Sequence, residues 1–199
     1  MKNKMRIAIQ NKGRLMDESV KFLKGSGLKF ELNGRQLLIK CEERAVEILF
    51  VRCKDIPTYL EQGVADFGIV GENVLYEQGS DLEILESLGF GKCSLVIAAP
   101  EGIEDLDGER IATSYPNSLK RYLKKKGVNA SVVEIGGSVE AAPTLGLADA
   151  ICDITQSGRT LKENGLRVVD KILDSEAVLI GKSKAKWNKL IQSLGRSTI

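Results

Sequence analysis

Short apolar runs alternate with stretches of helical periodicity along most of the chain. The run MRIAIQ (5–10) predicts a strand. Met16, Val20 and Leu23 then share one face of a helix that Gly25 and Gly27 would stop. VEILFVR (46–52) predicts a buried strand, and Asp55 stands where it would cap a short helix with Pro57 in its first turn and Gly63 at its end. ADFGIVG (65–71), LEILESL (82–88), SLVIAAP (94–100), RIATS (110–114), ASVVEIG (130–136) and ADAICDI (148–154) predict further strands. Leu119, Tyr122 and Leu123 give an apolar face to a helix over 116–127. Trp187, Leu190, Ile191 and Leu194 recur at i, i+3, i+4 and i+7 between Ser183 and Gly195, which predicts a C-terminal helix. Such alternation predicts an α/β protein with mainly parallel sheets.

One segment returns. GVADFGIVG (63–71) is echoed 83 positions later by GLADAICDI (146–154), each a Gly, a branched aliphatic, Ala, Asp and a buried strand. Each copy also follows a helix-like segment. The echo predicts two similar α/β lobes, and a site between lobes is a common place for a small ligand.

Composition narrows the chemistry. At 199 residues, 43% apolar and 28% charged, the chain reads as a globular, soluble protein. A net charge of +2 gives no argument for nucleic acid. The N-terminus has no apolar signal region and no apolar run reaches membrane-spanning length, so a cytoplasmic protein is expected. The cysteines at 41, 53, 93 and 152 are spaced by 12, 40 and 59, unlike any metal knuckle, and are expected to be reduced thiols. With no histidine in the chain, a His general base and a His-ligated zinc are excluded. Carboxylates, cations, hydroxyls, backbone amides or a cation brought by the substrate remain.

Those groups gather in DAICDITQSGRTLKENG (149–165). A strand ends at Asp153 and runs into Thr155, Gln156, Ser157, Gly158, Arg159 and Thr160, followed by a helix start. Ligands of open parallel sheets bind beyond the carboxyl ends of strands. Hydroxyls, a cation and the unpaired N–H groups and positive dipole end of a helix there suit a phosphate, with Gly158 letting the backbone approach it. Asp153 would repel bare phosphate, so it is expected to accept from ribose hydroxyls or to hold a cation. An ordinary hydroxyl-rich turn is the competing reading of the same residues. After the first strand, Lys12 and Arg14 flank Gly13, a grouping suited to a polyphosphate; Arg52 and Arg35 are weaker candidates. KRYLKKK (120–126) reads as the wet face of an amphipathic helix. IGKS (180–183) and GFGKC (89–93) are not P-loops, because Glu176 and Glu86 stand where the first glycine is required.

The set NKGRL (11–15), DIPTYLEQGVADFGIVGENVL (55–75), RIATSYP (110–116) and GGSVEAAPTLGLADAICDITQSGRTLKENGL (136–166) resembles the ATP phosphoribosyltransferases, from about Met5 to Lys182. The resemblance implies a two-lobed fold like the type II periplasmic binding proteins, with two chain crossovers. Residues 1–90 plus 176–199 would form lobe I, and 91–175 lobe II with the phosphoribosyl-binding turn. It implies that N1 of ATP is joined to C1 of the ribose of phosphoribosyl pyrophosphate, with release of pyrophosphate, as the first step of histidine biosynthesis. Asp153 to Thr160 would hold ribose and 5-phosphate. Lys12, Gly13, Arg14, Arg35, Arg52 and Glu72 would lie near ATP or pyrophosphate; Glu72 stands where the family often has Asp. Mg²⁺ would be held mainly by substrate, with Asp153 as a candidate contact, and no side-chain nucleophile is expected. Ending at Ile199, the chain resembles the family's short form, which lacks a histidine-binding domain. A homodimer within a hetero-oligomer with a regulatory subunit related to histidyl-tRNA synthetase is implied. The rival reading is a two-lobed sensor that captures a phosphorylated ligand without chemistry.

Overall fold

The computed structural model describes residues 4–32, 34, 36–42 and 46–194. In chain order the first elements are β1 (Met5–Gln10), α1 (Arg14–Gly25), β2 (Leu38–Lys40), β3 (Val46–Val51), α2 (Ile56–Glu61), β4 (Phe67–Gly71), α3 (Glu72–Gln78) and β5 (Glu83–Ser87). Then come β6 (Cys93–Ala99), β7 (Arg110–Thr113), α4 (Pro116–Lys126), β8 (Ser131–Glu134), β9 (Ala150–Thr155), α5 (Arg159–Glu163) and β10 (Arg167–Ser175). β11 (Ala177–Gly181) and α6 (Lys184–Ser193) complete the described chain. Two compact units result: Met1–Leu75 with Gly79–Gly91 and Glu176–Ile199, and Lys92–Ser175 with Tyr76–Gln78.

The first unit is one sheet in the order β2-β3-β1-β4-β11-β5. Its centre is parallel: β1 lies between β3 and β4, with Ile7 beside Ile48 and Phe67. β11 runs antiparallel between β4 and β5. Alternate residues of β1 feed opposite faces, Ile7 and Ile9 into the core with Phe67, Trp187 and Leu190, and Ala8 into the core with Ile56, Leu60 and Val178. Trp187 meets the edge of Phe67 at 5.1 Å between ring centres and is buried, as the 187–194 spacing predicts. Ser183 caps α6 by accepting the Lys186 N–H at 3.3 Å; Gly195 lies outside the described residues.

The second unit is a sheet in the order β10-β6-β9-β7-β8, parallel over β9-β7-β8 and antiparallel where β6 lies between β9 and β10. Both sheets are therefore mixed: most strands of each run one way, as the alternation predicts, and an inserted strand runs against them. The reason is the same in each. β4-α3-β5 and β9-α5-β10 are helix-linked pairs whose two strands run the same way, and one strand of opposite direction is inserted between them. The inserted strands, β11 and β6, are the first after the chain changes unit. The direction of an apolar run is not encoded in its hydrophobicity, so the insertion has no sequence signal.

The echoed segments are structural counterparts. Asp66 accepts the Arg6 N–H at 2.8 Å, and its own N–H donates to the Arg6 carbonyl at 2.8 Å. Asp149 does the same with Arg110, at 2.9 and 2.8 Å. Each aspartate ties the start of its strand to the start of the neighbouring parallel strand, so Ala-Asp is a sheet-corner device. Gly63 and Gly146 precede the two corners with φ near 70°.

Asp55 is at the start of α2, but its side chain makes no capping hydrogen bond, because a 3-10 turn over Cys53–Asp55 leads into the helix instead. α4 is capped from elsewhere in its own unit: the Glu77 carboxylate accepts the N–H groups of Asn117 and Ser118 at 2.9 and 2.8 Å. Among the described residues no helix is long and apolar enough to cross a membrane.

Candidate phosphate-binding site

Two polar clusters sit at carboxyl ends of parallel strands, one in each unit. In the second unit, Thr113 of β7 pairs with Cys152 of β9, and the Thr113 hydroxyl donates to the Cys152 carbonyl at 2.7 Å. This buried lock sets where β9 emerges. Burial pushes the Cys152 thiol up to about 12, so it is an inert core group and not a nucleophile. Beyond it, Asp153, Ile154, Thr155, Gln156, Ser157, Gly158, Arg159, Thr160 and Leu161 line a cavity of about 330 Å³, which Glu140 also borders. The cavity brings together all the residues that the sequence nominates between Asp153 and Thr160.

The turn is self-ordered. The Thr155 hydroxyl oxygen accepts the Gly158 N–H at 3.0 Å, and the Ser157 hydroxyl oxygen accepts the Arg159 N–H at 3.4 Å. Two N–H groups expected to face an anion are thus engaged inside the turn, while the two hydroxyl protons remain available for donation. Gly158 takes φ 71°, a left-handed conformation that bends the chain into α5. That helix spans only Arg159–Glu163, so its dipole adds little; hydroxyls and first-turn N–H groups are the useful donors. The Arg159 guanidinium pairs with Glu163 at 2.7 Å, both largely exposed, a contact a ligand phosphate can outcompete.

Asp153 is half-buried, and one of its oxygens accepts the Ile154 N–H at 2.8 Å. Burial, reinforced by the negative charge of Glu140, pushes its carboxyl up to about 6. Glu140 follows Ser138, which adopts φ 50°, in a 3-10 turn over Val139–Ala141. No spacing or composition signal marks it. Among the described residues no three His, Cys, Asp or Glu side chains gather as a metal cage. The oxygen-only donors that are present fit a hard cation carried in by phosphate, not a protein-caged one.

In the first unit, Lys12, Gly13 and Arg14 follow β1, Arg52 follows β3, and Glu72 follows β4, all at carboxyl ends of parallel strands. Gly13 has φ 79° at the start of α1. Arg14 lies 3.5 Å from Glu18. The Glu72 carboxylate accepts the Glu176 N–H at 3.2 Å, and the Glu72 N–H donates to the Glu176 carbonyl at 3.1 Å. That pairing fastens the segment entering β11 and gives Glu72 a structural task. Arg35 lies outside the described residues.

Two α/β units, each with one inserted strand, define the class: the fold is that of the periplasmic binding proteins. The periplasmic aliphatic sulphonate binding protein SsuA from Escherichia coli matches with a TM-score of 0.59 at 17% identity, over 98% of this chain and 70% of that one. The ATP phosphoribosyl transferase (HisG:HisZ) complex from Thermotoga maritima matches with a TM-score of 0.83 at 36% identity, over 96% of this chain and 95% of that one. The family model HisG: ATP phosphoribosyltransferase matches residues 52–197. A Cytophaga hutchinsonii protein named ATP phosphoribosyltransferase is 48% identical over 184 residues, covering 90% of this chain and 64% of its own length. A Methanothermobacter thermautotrophicus protein of the same name is 44% identical over 194 residues, covering 94% of this chain and 67% of its own length. The chain belongs to the ATP phosphoribosyltransferase family. It spans 64% of the length of the first two curated relatives it matches.

Proposed function

We propose that the chain joins N1 of ATP to C1 of the ribose of phosphoribosyl pyrophosphate and releases pyrophosphate, the first step of histidine biosynthesis. The observation that carries this reading is the cavity at the end of β9. Hydroxyl donors and a left-handed glycine in its lining suit a phosphate, and the half-buried carboxylate of Asp153 in the same lining suits what a phosphate cannot be, a sugar diol or a cation. Residues 91–175 would then carry the phosphoribosyl site. Lys12, Gly13, Arg14 and Arg52, with Arg35, would serve ATP and the leaving pyrophosphate.

Displacement at C1 builds positive charge on the sugar and negative charge on pyrophosphate. The chain's own groups can hold the 5-phosphate through Thr155, Ser157 and Thr160, fix the ring against Asp153, and neutralise the leaving group with Lys12, Arg14 and Arg52. No protein nucleophile is required. A divalent cation, Mg²⁺ in this reading, would supply further charge neutralisation on pyrophosphate when bound, with Asp153 as its protein contact.

The Thermotoga protein was solved as a HisG:HisZ complex, and that supports a hetero-oligomer with a regulatory subunit here. A homodimer of this chain within it, and a subunit related to histidyl-tRNA synthetase, follow from the family resemblance alone. A cytoplasmic location accords with the substrates. The test is pyrophosphate release from ATP and phosphoribosyl pyrophosphate, with and without such a subunit. Binding of both compounds without pyrophosphate release under either condition would leave a sensor.

A further inference from the structure

We propose that Thr113 is a positioning residue for the transfer reaction, its buried hydroxyl fixing the peptide that carries Asp153 and so the start of the phosphoribosyl cradle. The proposal rests on the phosphoribosyl reading of the cavity at the end of β9. That strand has parallel β7 on one side and antiparallel β6 on the other. Its pairing with β7 stops at Thr113 and Cys152. Its pairing with β6 continues through Asp153 and Ile154 to Thr155, opposite Val96, Leu95 and Ser94. The three residues that lead into the cavity therefore hang on β6 alone. They have only one of the two ladders that would hold their direction, so the last bond on the other edge matters.

Thr113 supplies that bond. Its hydroxyl donates to the Cys152 carbonyl at 2.7 Å and accepts the Tyr115 N–H at 2.8 Å, so it is bonded in both directions. The residue is fully buried, and its own carbonyl accepts the Ile135 N–H at 3.0 Å. The hydroxyl replaces the ladder bonds that β7 no longer offers once the chain turns through Tyr115 into α4. A peptide group is planar, so a held Cys152 carbonyl also sets the direction of the Asp153 N–H and the place of its Cα. The cradle builds outward from that plane, Asp153 first and then Thr155, whose hydroxyl closes the turn on the Gly158 N–H. Threonine suits the task, because its branched Cβ leaves few rotamers and keeps the hydroxyl aimed. Valine has the same shape with neither donor nor acceptor, and serine has the hydroxyl without the branch.

Steady-state kinetics of Thr113→Val, Thr113→Ala and Thr113→Ser in the full chain, beside calorimetry with phosphoribosyl pyrophosphate, test the assignment. In the Val and Ala variants kcat/KM for phosphoribosyl pyrophosphate should fall about 10- to 100-fold, the cost of a misplaced binding group, while KM for ATP should not change. Thr113→Ser should recover most of the wild-type value. Gly68→Ala, crowded in the other unit, gives a destabilised control that should keep wild-type kcat/KM below its melting range, which separates lost stability from lost position. Wild-type kcat/KM in a folded Val or Ala variant would overturn the proposal. So would a Ser variant no better than Ala, or an equal loss towards both substrates. If Thr113→Val does not fold, the Ala and Ser pair decides by itself. A wild-type chain that binds phosphoribosyl pyrophosphate but releases no pyrophosphate fails as a transferase. Thr113 is then judged on binding, where Ala should be about tenfold weaker than Ser and equal affinities would refute the assignment. If wild type does not bind phosphoribosyl pyrophosphate, the phosphoribosyl reading itself fails and takes the proposal with it.

Discussion

Gly158, Thr160 and Asp153 carry the sharpest single-residue expectations. A Cβ at Gly158 would meet nothing within 4 Å, so a substitution there is opposed by its left-handed backbone and not by a clash. Gly158→Val should cost about 1–2 kcal/mol of local strain and open the turn that Thr155 closes, weakening phosphoribosyl pyrophosphate binding; calorimetry and melting together check this. Thr160→Ala removes a donor and should lower turnover about 100-fold with little change in melting temperature. Asp153→Asn should keep the fold and lose catalysis. Its carboxyl is raised to about 6, chiefly by burial, so the folded chain holds that proton more tightly than the unfolded one. The stability from this group is full in acid and lost as pH rises through about 6. Relative to wild type, Asp153→Asn should therefore melt higher at pH 8 than at pH 5, and a difference that is flat with pH would show that Asp153 is not held in this way.

At the level of elements, the two Ala-Asp corners and the close packing of α2 on β4 hold the strand ends in place. Asp149 accepts three hydrogen bonds from Arg110, from its N–H, Nε and Nη2, at 2.9, 2.9 and 2.8 Å. Those bonds hold its carboxyl down at about 2, so their stabilisation is present at neutral pH and fades only as pH falls towards that value. Asp149→Ala should cost about 1 kcal/mol at pH 7, since the pair is part-exposed, and less near pH 2. A denaturant midpoint that moves equally at both pH values would contradict this. Gly68 is a harder constraint: a Cβ would stand 2.6 Å from Ile56 Cγ2 and 3.1 Å from Leu60 Cδ1, both fully buried. Gly68→Ala should destabilise by about 1–3 kcal/mol, read from the same midpoint.

Over the whole molecule, each unit has its own sheet with a core on both faces, and each holds a polar cluster at its parallel strand ends. The reaction proposed requires no protein nucleophile, so it would come from positioning and charge. Activity governed by positioning is open to control by a bound partner, which acts only through contacts that differ between conformational states. If the proposed hetero-oligomer forms, adding the regulatory subunit should therefore raise turnover several-fold. Equal turnover with and without it would remove the partner from the proposal and leave the catalytic assignment intact.

Apolar periodicity by itself determined most elements, because burial is local and periodic: β1, β3, β6, α4 and α6 begin and end close to their predicted bounds. The hydroxyl-rich turn was legible for a related reason, since donors, a glycine and an acid at a strand end are adjacent in the chain. The resemblance to the transferase family rests on the same contiguous segments. Contacts between distant segments were decided only by the tertiary structure. The antiparallel insertion of β6 and β11 depends on where the chain changes unit, and hydrophobicity has no direction. Glu140 reaches the cavity across a 13-residue separation from Asp153, through a turn anchored by Val139 and Ala142. Glu72, which the family resemblance sets near ATP or pyrophosphate, has one carboxylate oxygen on the Glu176 N–H, 104 positions away, a contact no sequence pattern announces. A side chain's partner is fixed by which backbone groups folding leaves unpaired beside it, and the order of residues along a chain does not contain that.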